Sequence, residues 1–212
     1  MALPLRERKR LRTRRLLAET ALRMFTANGF DATTLDDLVD AAEVSKSTFF
    51  RAFPAKEAVA IEAETELWTS YLGALAERDL RGLVLGELQD TLAQAAAGLE
   101  PGWDRRYVAT RRLILATPPL LAYVDYYRTG VEREAAACLA AKLGVPADDL
   151  RLQVLAELAT TAWSVAGRDW VRHDGQGARP ALLQRLQSAF AAIPAALTLD
   201  PRSVSIAQSI PL

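Results

Sequence analysis

An all-α fold is predicted from three observations: an alanine- and leucine-rich composition poor in β-branched and aromatic residues, apolar positions that recur at helical spacing, and Gly and Pro clusters that cut the chain into about nine helical segments. Straight-chain side chains lose little rotamer freedom in a helix, so such a composition leaves little or no sheet to expect. At 212 residues, half of them apolar, the chain is long enough to bury a proper core.

The first helix is expected from about Leu5 to Asn28, because Leu17, Ala21, Met24 and Phe25 fall on one stripe. Gly29 ends it by accepting the left-handed conformation common just past a helix, and Phe30 can fold back onto the last turn. Thr34 opens a second helix: its hydroxyl can cap free N–H groups, and Asp37 stands three residues on, where a capping-box acid belongs. Leu35, Leu38, Val39 and Ala42 form its inner face, and the pattern breaks at Glu43-Val44-Ser45. A third helix, capped by Ser45, carries Phe49 and Phe53 inward. Two short helices joined by a tight turn are the layout of a helix-turn-helix.

Pro54 stops that helix, and from Ala55 a longer one is expected through Trp68 and Tyr71 to about Arg78. Five more follow at roughly 80–99, 103–117, 119–143, 148–171 and 179–197, with breaks at Glu100-Pro101-Gly102, Pro118-Pro119, Gly144-Val145-Pro146 and Asp174-Gly175-Gln176-Gly177. The expected organisation is a helix-turn-helix domain over 1–58, a helical body over 59–199 and a loose polar tail over 200–212.

A net charge of zero hides an asymmetry. Residues 1–60 hold eleven Lys/Arg against eight Asp/Glu and the remainder fifteen against eighteen, so the two parts stand at about +3 and −3. Arg6, Arg8, Lys9, Arg10, Arg12, Arg14 and Arg15 crowd the first fifteen residues against Glu7 alone, the footprint of contact with a polyanion. The single Cys138 excludes an internal disulfide, the charged start does not read as a signal peptide, and no apolar run reaches the roughly 18 residues of a membrane span, so a cytoplasmic protein without membrane contact is expected.

The stretch from Arg14 to about Ala58 resembles the tetracycline-repressor (TetR) family of bacterial regulators. The resemblance is carried by Leu17, Met24-Phe25 and Gly29-Phe30, then Ala32-Thr33-Thr34-Leu35, Leu38, Ala41-Ala42, Val44-Ser45, Thr48-Phe49-Phe50 and Phe53-Pro54-Ala55-Lys56-Glu57, in this order and spacing. It implies that the helix at about Lys46–Ala52 enters the major groove of a double-stranded, palindromic DNA operator while the preceding helix crosses the backbone. The DNA-contacting candidates are then Thr34, Ser45, Lys46, Ser47, Thr48, Phe50, Arg51 and Lys56, with Arg10, Arg12 and Arg14 as candidates in the basic N-terminal arm. Three positions depart from the pattern: Phe50 where relatives usually have tyrosine, Ala52 where they often have histidine, and Glu43 where the turn often has glycine. The first two remove polar groups that relatives aim at phosphates, so the arm is expected to carry more of the charge-driven affinity. Glu43 is expected to be strained if its φ is positive.

Beyond about residue 60 the resemblance extends only to length and helical layout. It implies a body that pairs subunits and binds a small, largely apolar effector, whose binding alters the spacing of two DNA-binding heads and relieves repression. Trp68, Tyr71, Trp103, Tyr107, Tyr123, Tyr127 and Trp163 are the candidates for lining an apolar pocket with a few polar tips, with ordinary core packing as the competing role. Arg105, Arg106, Arg111 and Arg112 could anchor an anionic effector such as a carboxylate or an acyl-carrier phosphate, or else form a solvated face. Homodimerisation is expected through the helices at about 148–171 and 179–197, by stripes of Leu152, Leu155, Ala159, Ala162 and Trp163 and of Leu182, Leu186, Ala189, Phe190 and Ile193.

An enzyme is not expected: His173 has no evident partner, Cys138 sits in an alanine-rich helix, and no Gly-rich phosphate loop or metal-spaced His/Cys cluster occurs, so no metal or cofactor is expected either. The alternative is a helix-turn-helix layout used for protein contacts, with weak or no DNA binding, to which Phe50 and Ala52 lend weight.

Overall fold

A computed structural model describes residues 4–200, so most of the tail expected over 200–212 lies outside the described residues. Ten helices and no strand occur among them: α1 (Leu5–Asn28), α2 (Leu35–Ala41), α3 (Lys46–Ala52), α4 (Lys56–Ala60), α5 (Glu62–Glu77), α6 (Val84–Ala97), α7 (Trp103–Ala116), α8 (Pro118–Leu143), α9 (Leu150–Arg172) and α10 (Ala178–Leu197). No helix among the described residues is long and apolar enough to cross a membrane.

Helices α1 to α3 form as their local chemistry dictates. Gly29 closes α1 at φ 90°, donating its N–H to Phe25. Thr34 and Asp37 make the full capping box at the start of α2, and Ser45 Oγ caps α3 by accepting from Thr48 N–H. The turn between them does hold Glu43 at φ 53°, the strained region expected of a non-glycine residue there.

The helix expected as one piece from Ala55 to Arg78 is two, α4 and α5, broken at Ile61 (φ −102°, ψ 16°). No Pro or Gly marks the site, because the break is tertiary. Val59, Ala60 and Ile61 are buried in the core of the head, whereas Ala63, Leu67 and Trp68 are buried in the core of the body, and the chain re-aims between them. The next helix starts at Val84 and not at about 80. Glu87 reaches back to accept the N–H groups of Arg81 and Gly82 and the guanidinium of Arg78, which fixes 78–83 as a loop.

Two cores result. The head packs Leu17, Ala21, Phe25, Leu38, Phe49 and Phe53 together, and Ile114, Leu120 and Val124 of α7 and α8 complete it. Its core is therefore shared with the body, so a shift of α7 or α8 is felt under the helix-turn-helix. The body core gathers α5 to α10 around Trp68, Trp103, Tyr107, Trp163 and Trp170.

Candidate nucleic-acid interface and its link to the helical body

Helix α3 presents a polar outer face because its apolar residues point inward. Phe49 and Phe53 are fully buried, while Lys46, Ser47, Phe50 and Arg51 are exposed. Ser45 Oγ lies 3.0 Å from Thr48 Oγ1, and Arg51 donates to the same Thr48 hydroxyl at 3.0 Å, so one row of hydrogen bonds aligns Ser45, Thr48 and Arg51 along the face. Lys46 Nζ meets Asp36 of α2 at 2.5 Å. That pair joins the two helices of the motif and offsets part of the lysine's charge, a contact that spacing in the chain did not reveal. Phe50 is 55% exposed, with its ring edge-on to Phe49. Thr34 is exposed at the start of α2, with its hydroxyl donating to Asp37 at 2.6 Å. That hydrogen bond holds the Asp37 carboxyl below the usual carboxylate range.

Two sequence candidates hold inner positions. Arg14 is not a free arm residue: its Nε and Nη2 donate to the two carboxylate oxygens of Glu62 at 2.5 Å each, its Nη1 donates to the Ala52 carbonyl, and its guanidinium lies 4.2 Å from the Phe53 ring centre. Lys56 donates to the carbonyls of Phe30 and Thr33 at 2.9 and 3.0 Å and sits over the Phe30 ring. It thus ties α4 to the α1–α2 turn. Arg6, Arg8, Lys9, Arg10 and Arg12 are exposed on the first turns of α1, with Arg10 bonded to Glu7, so the basic segment is helix and not an extended strand of chain.

Three acids on the first turns of α5 take an arginine each, one from α1 and two from α7. Glu62 holds Arg14 of the head, Glu66 accepts from Arg106 of α7 at 2.7 Å, and Glu64 meets Arg111 of α7 at 2.9 Å in the interior. Burial pushes the Glu62 carboxyl above its usual range against the pull of Arg14. Burial also opposes charge on Arg111, but the Glu64 carboxylate beside it outweighs that and holds its pKa above the ordinary arginine value. Arg112 pairs with Asp174. Of the four arginines expected as an anion anchor or a solvated face, Arg106, Arg111 and Arg112 thus have carboxylate partners, and Arg111 is buried.

The aromatic candidates Trp68, Tyr71, Trp103, Tyr107 and Trp163 come together, with neighbouring rings 4.6–6.4 Å apart, and Trp170 joins them beside Tyr107. Their polar tips are largely used inside the fold: Trp68 donates to Glu64, Trp103 to the Ala63 carbonyl and Trp163 to the Tyr107 hydroxyl. Burial raises the pKa of Tyr107 and Tyr71 far above the usual phenol value, so both stay protonated. Tyr123 stands apart against the head core, and Tyr127 packs against both cores. A cleft of about 870 Å³ opens instead between head and body, lined by Arg10, Arg12, Arg14, Arg51, Glu62 and Arg106 among others, and none of the seven aromatic candidates lines it. Among the described residues no cluster of His, Cys, Asp and Glu could hold a metal ion.

Most residues of the stripes expected to pair subunits are spent within the chain, while Leu155, Ala189 and Ile193 stay partly exposed. Leu152, Ala159, Ala162, Trp163, Leu182, Leu186 and Phe190 are buried in the body core, because the helical stripe wide enough for a dimer seam is also the one that faces α6 and α8. The large apolar residues that α9 exposes are Leu150, Val154 and Val165.

Comparison with known proteins agrees with this architecture. Residues 17–63 match the family of bacterial regulatory proteins of the tetR type, and residues 92–198 match the MftR C-terminal domain. The chain is 34% identical over 175 residues to the HTH-type transcriptional regulator TcmR of Streptomyces glaucescens, covering 78% of this chain and 76% of that protein. It is 26% identical over 204 residues to MftR of Mycobacterium tuberculosis, named for the transcriptional regulation of mycofactocin biosynthesis, covering 90% and 93%. The fold is shared with a protein of Mesorhizobium loti described as a TetR-family transcriptional regulator, at a TM-score of 0.50 and 19% identity over 88% of this chain and 97% of that one.

Proposed function

The chain belongs to the tetR family of bacterial regulatory proteins and is a helix-turn-helix transcriptional regulator, and from that premise we propose that it is a homodimeric repressor released from its operator by a small effector bound in the helical body. The observation that carries this reading is the Arg14 contact set, because one side chain bonds both the last residue of α3, Ala52, and the first residue of α5, Glu62. The outer face of α3 supplies Lys46, Ser47 and Arg51 to base edges and phosphates, with Thr34 and the exposed cations of α1 on the flanking backbone.

Release follows by linkage. An effector lowers operator affinity only as far as it prefers the body conformation that misplaces the heads, and the coupling is reciprocal. Heads on a dimer must meet half-sites about 34–36 Å apart or a multiple of it, so a small rotation of α5 transmitted through Glu62 and Arg14 suffices to lose register. The subunits pair through α9 and α10 by their outward residues, Val154, Leu158, Thr161 and Val165 on α9 and Ala191, Ala192 and Ala195 on α10, where small side chains permit close approach. The protein acts in the cytoplasm, where its operator lies. The head, read from the sequence as residues 1–58, extends to Ile61, whose neighbours Val59 and Ala60 also pack in its core, and the body runs on to about 199.

The test is a gel-shift titration of the protein against the intergenic DNA flanking its own gene, with Arg51→Ala as the comparison. Saturable, competitor-resistant binding that Arg51→Ala weakens by about tenfold or more is expected. Equal, competitor-sensitive binding by both would leave the motif to protein contacts.

A further inference from the structure

The polar groups buried in the body are met within the fold, with three exceptions among the described residues: Arg128 Nε, Ser164 Oγ and Tyr71 Oη have no hydrogen-bond partner. Unmet buried polar atoms are rare in native proteins and ask for an explanation. Helix spacing sets the first two at one level of the α8–α9 pair. Helices α8 and α9 run antiparallel across a short connection, and Thr160 Oγ1 of α9 donates to Glu132 Oε1 of α8 at 2.5 Å. One turn from that bond in each helix brings Arg128 on α8 level with Ser164 on α9. A second observation agrees. Tyr107, whose hydroxyl lies against Trp163 and Gly167 to either side of Ser164 in the chain, is within electrostatic reach of Arg128. Tyr71 lies beside Cys138, about 15 Å further along α8, and is not part of this group.

What the pair lacks is an acceptor. Arginine can only donate, and the serine hydroxyl beside it can donate as well, so a complementary group brings oxygens, and a charge-assisted bond to guanidinium favours an anion. The acids nearby do not fill this role. Arg128 Nε bonds none of them: Asp125 is 3.8 Å from Nη1 and 66% exposed, Glu132 takes Thr160 on Oε1, and Glu64 takes Arg111 and Trp68. The surroundings are apolar: Val124 and Val131, each about one turn from Arg128, are buried, as is Trp163.

The geometry points to a carboxylate-binding site at Arg128 and Ser164, which holds the acid group of an effector whose body is apolar. The inference rests on the effector-release reading above and gives it a ligand class. The two carboxylate oxygens take the Nε and Nη edge of the guanidinium, and the Ser164 hydroxyl donates to one of them.

The experiment is thermal unfolding of the full chain, followed by the fluorescence of its four tryptophans. The probes are the straight-chain acids from butanoate to dodecanoate, each set against the primary alcohol of the same length, with benzoate against benzyl alcohol. At least one acid is expected to raise Tm saturably and to bind about tenfold or more tightly than its alcohol. Arg128→Met removes that preference and Ser164→Ala weakens it, whereas Arg133→Met, on the exposed side of the same helix, retains it. Without added acid, Arg128→Met and Ser164→Ala unfold at or above the temperature of the unaltered protein, since each deletes an unmet buried donor. The site is overturned if no acid surpasses its alcohol, if Arg128→Met responds like the unaltered protein, or if both variants unfold well below it, which would place these atoms in the fold's own hydrogen-bond network. Gel shifts on the same preparation keep the two readings apart. Specific DNA binding without discrimination of acid from alcohol removes only the carboxylate site, and absence of specific DNA binding removes the repressor reading.

Discussion

Arg14 and Glu62 meet in a two-pronged ion pair that closes the angle between α1 and α5, and the same guanidinium bonds the Ala52 carbonyl at the end of α3. Glu62 is nearly buried and Arg14 about one-third exposed. Arg14→Met keeps the packing over Phe53 but leaves a buried carboxylate unpaired. It is expected to cost about 2–3 kcal/mol in chemical denaturation, below the range of a fully buried pair because of that exposure. Adding Glu62→Gln should recover part of the loss, so the double-mutant cycle reads the coupling directly. If α3 is held in place by this contact, operator affinity falls in the single variant by more than its stability loss alone would produce.

Gly167 of α9 lies against the aromatic group of the body: a Cβ built there lies 2.9 Å from the Tyr107 hydroxyl. Tyr107 cannot retreat, because its ring is packed by Trp103, Trp163 and Trp170. Gly167→Ala, which would gain helix propensity at an open site, is therefore expected to destabilise the protein by about 1–3 kcal/mol in urea denaturation. A stabilised variant would show that the α7–α9 contact yields freely.

Asp149 caps α9 by accepting from Arg151 N–H and is also gripped by the Arg151 side chain, which together lower its pKa to about 2. A carboxyl depressed in the folded state contributes stability that is present above its unfolded value near 3.9 and is lost as pH falls towards about 2. Asn caps a helix as well as Asp but does not titrate, so Asp149→Asn should flatten the fall of Tm between those limits and leave Tm near neutrality little changed. Asp37 in the capping box shifts in the same direction and keeps part of the acid dependence in that variant.

The head was legible because its signals are local. Gly29, the Thr34–Asp37 box and the Ser45 cap each act within four residues, and the structure returns them as read. What escaped depends on partners distant in the chain. The break at Ile61 comes from two cores pulling on one helix, and Arg14 looks like any other cation of a basic segment until Glu62, 48 residues away, is folded against it. Arg111 belongs to the same class, since periodicity places it on a helix but only the fold buries it against Glu64. The unmet Arg128 Nε was hidden for the converse reason: the sequence cannot show a missing partner.

The remaining cations of α1 and the arginine of α3 should separate by salt. Arg8 and Arg12 are exposed and make no ion pair with a described residue, while Arg51 sits on the outer face of α3 within the Ser45–Thr48 row. If α1 contacts phosphates, replacing Arg8 and Arg12 with Gln removes two released counterions, and the slope of log affinity against log salt becomes shallower by about 1–2. Sequence discrimination should survive, because phosphate contacts position the protein without reading bases. Arg51→Ala should do the reverse, relaxing discrimination between operator and competitor by about 1–3 kcal/mol while changing the slope by no more than about one. Competition gel shifts at several salt concentrations measure both quantities. An unchanged slope in the Arg8/Arg12 variant would remove the first turns of α1 from the DNA contact and leave the flanking phosphates to the Thr34 hydroxyl and the Lys46 charge.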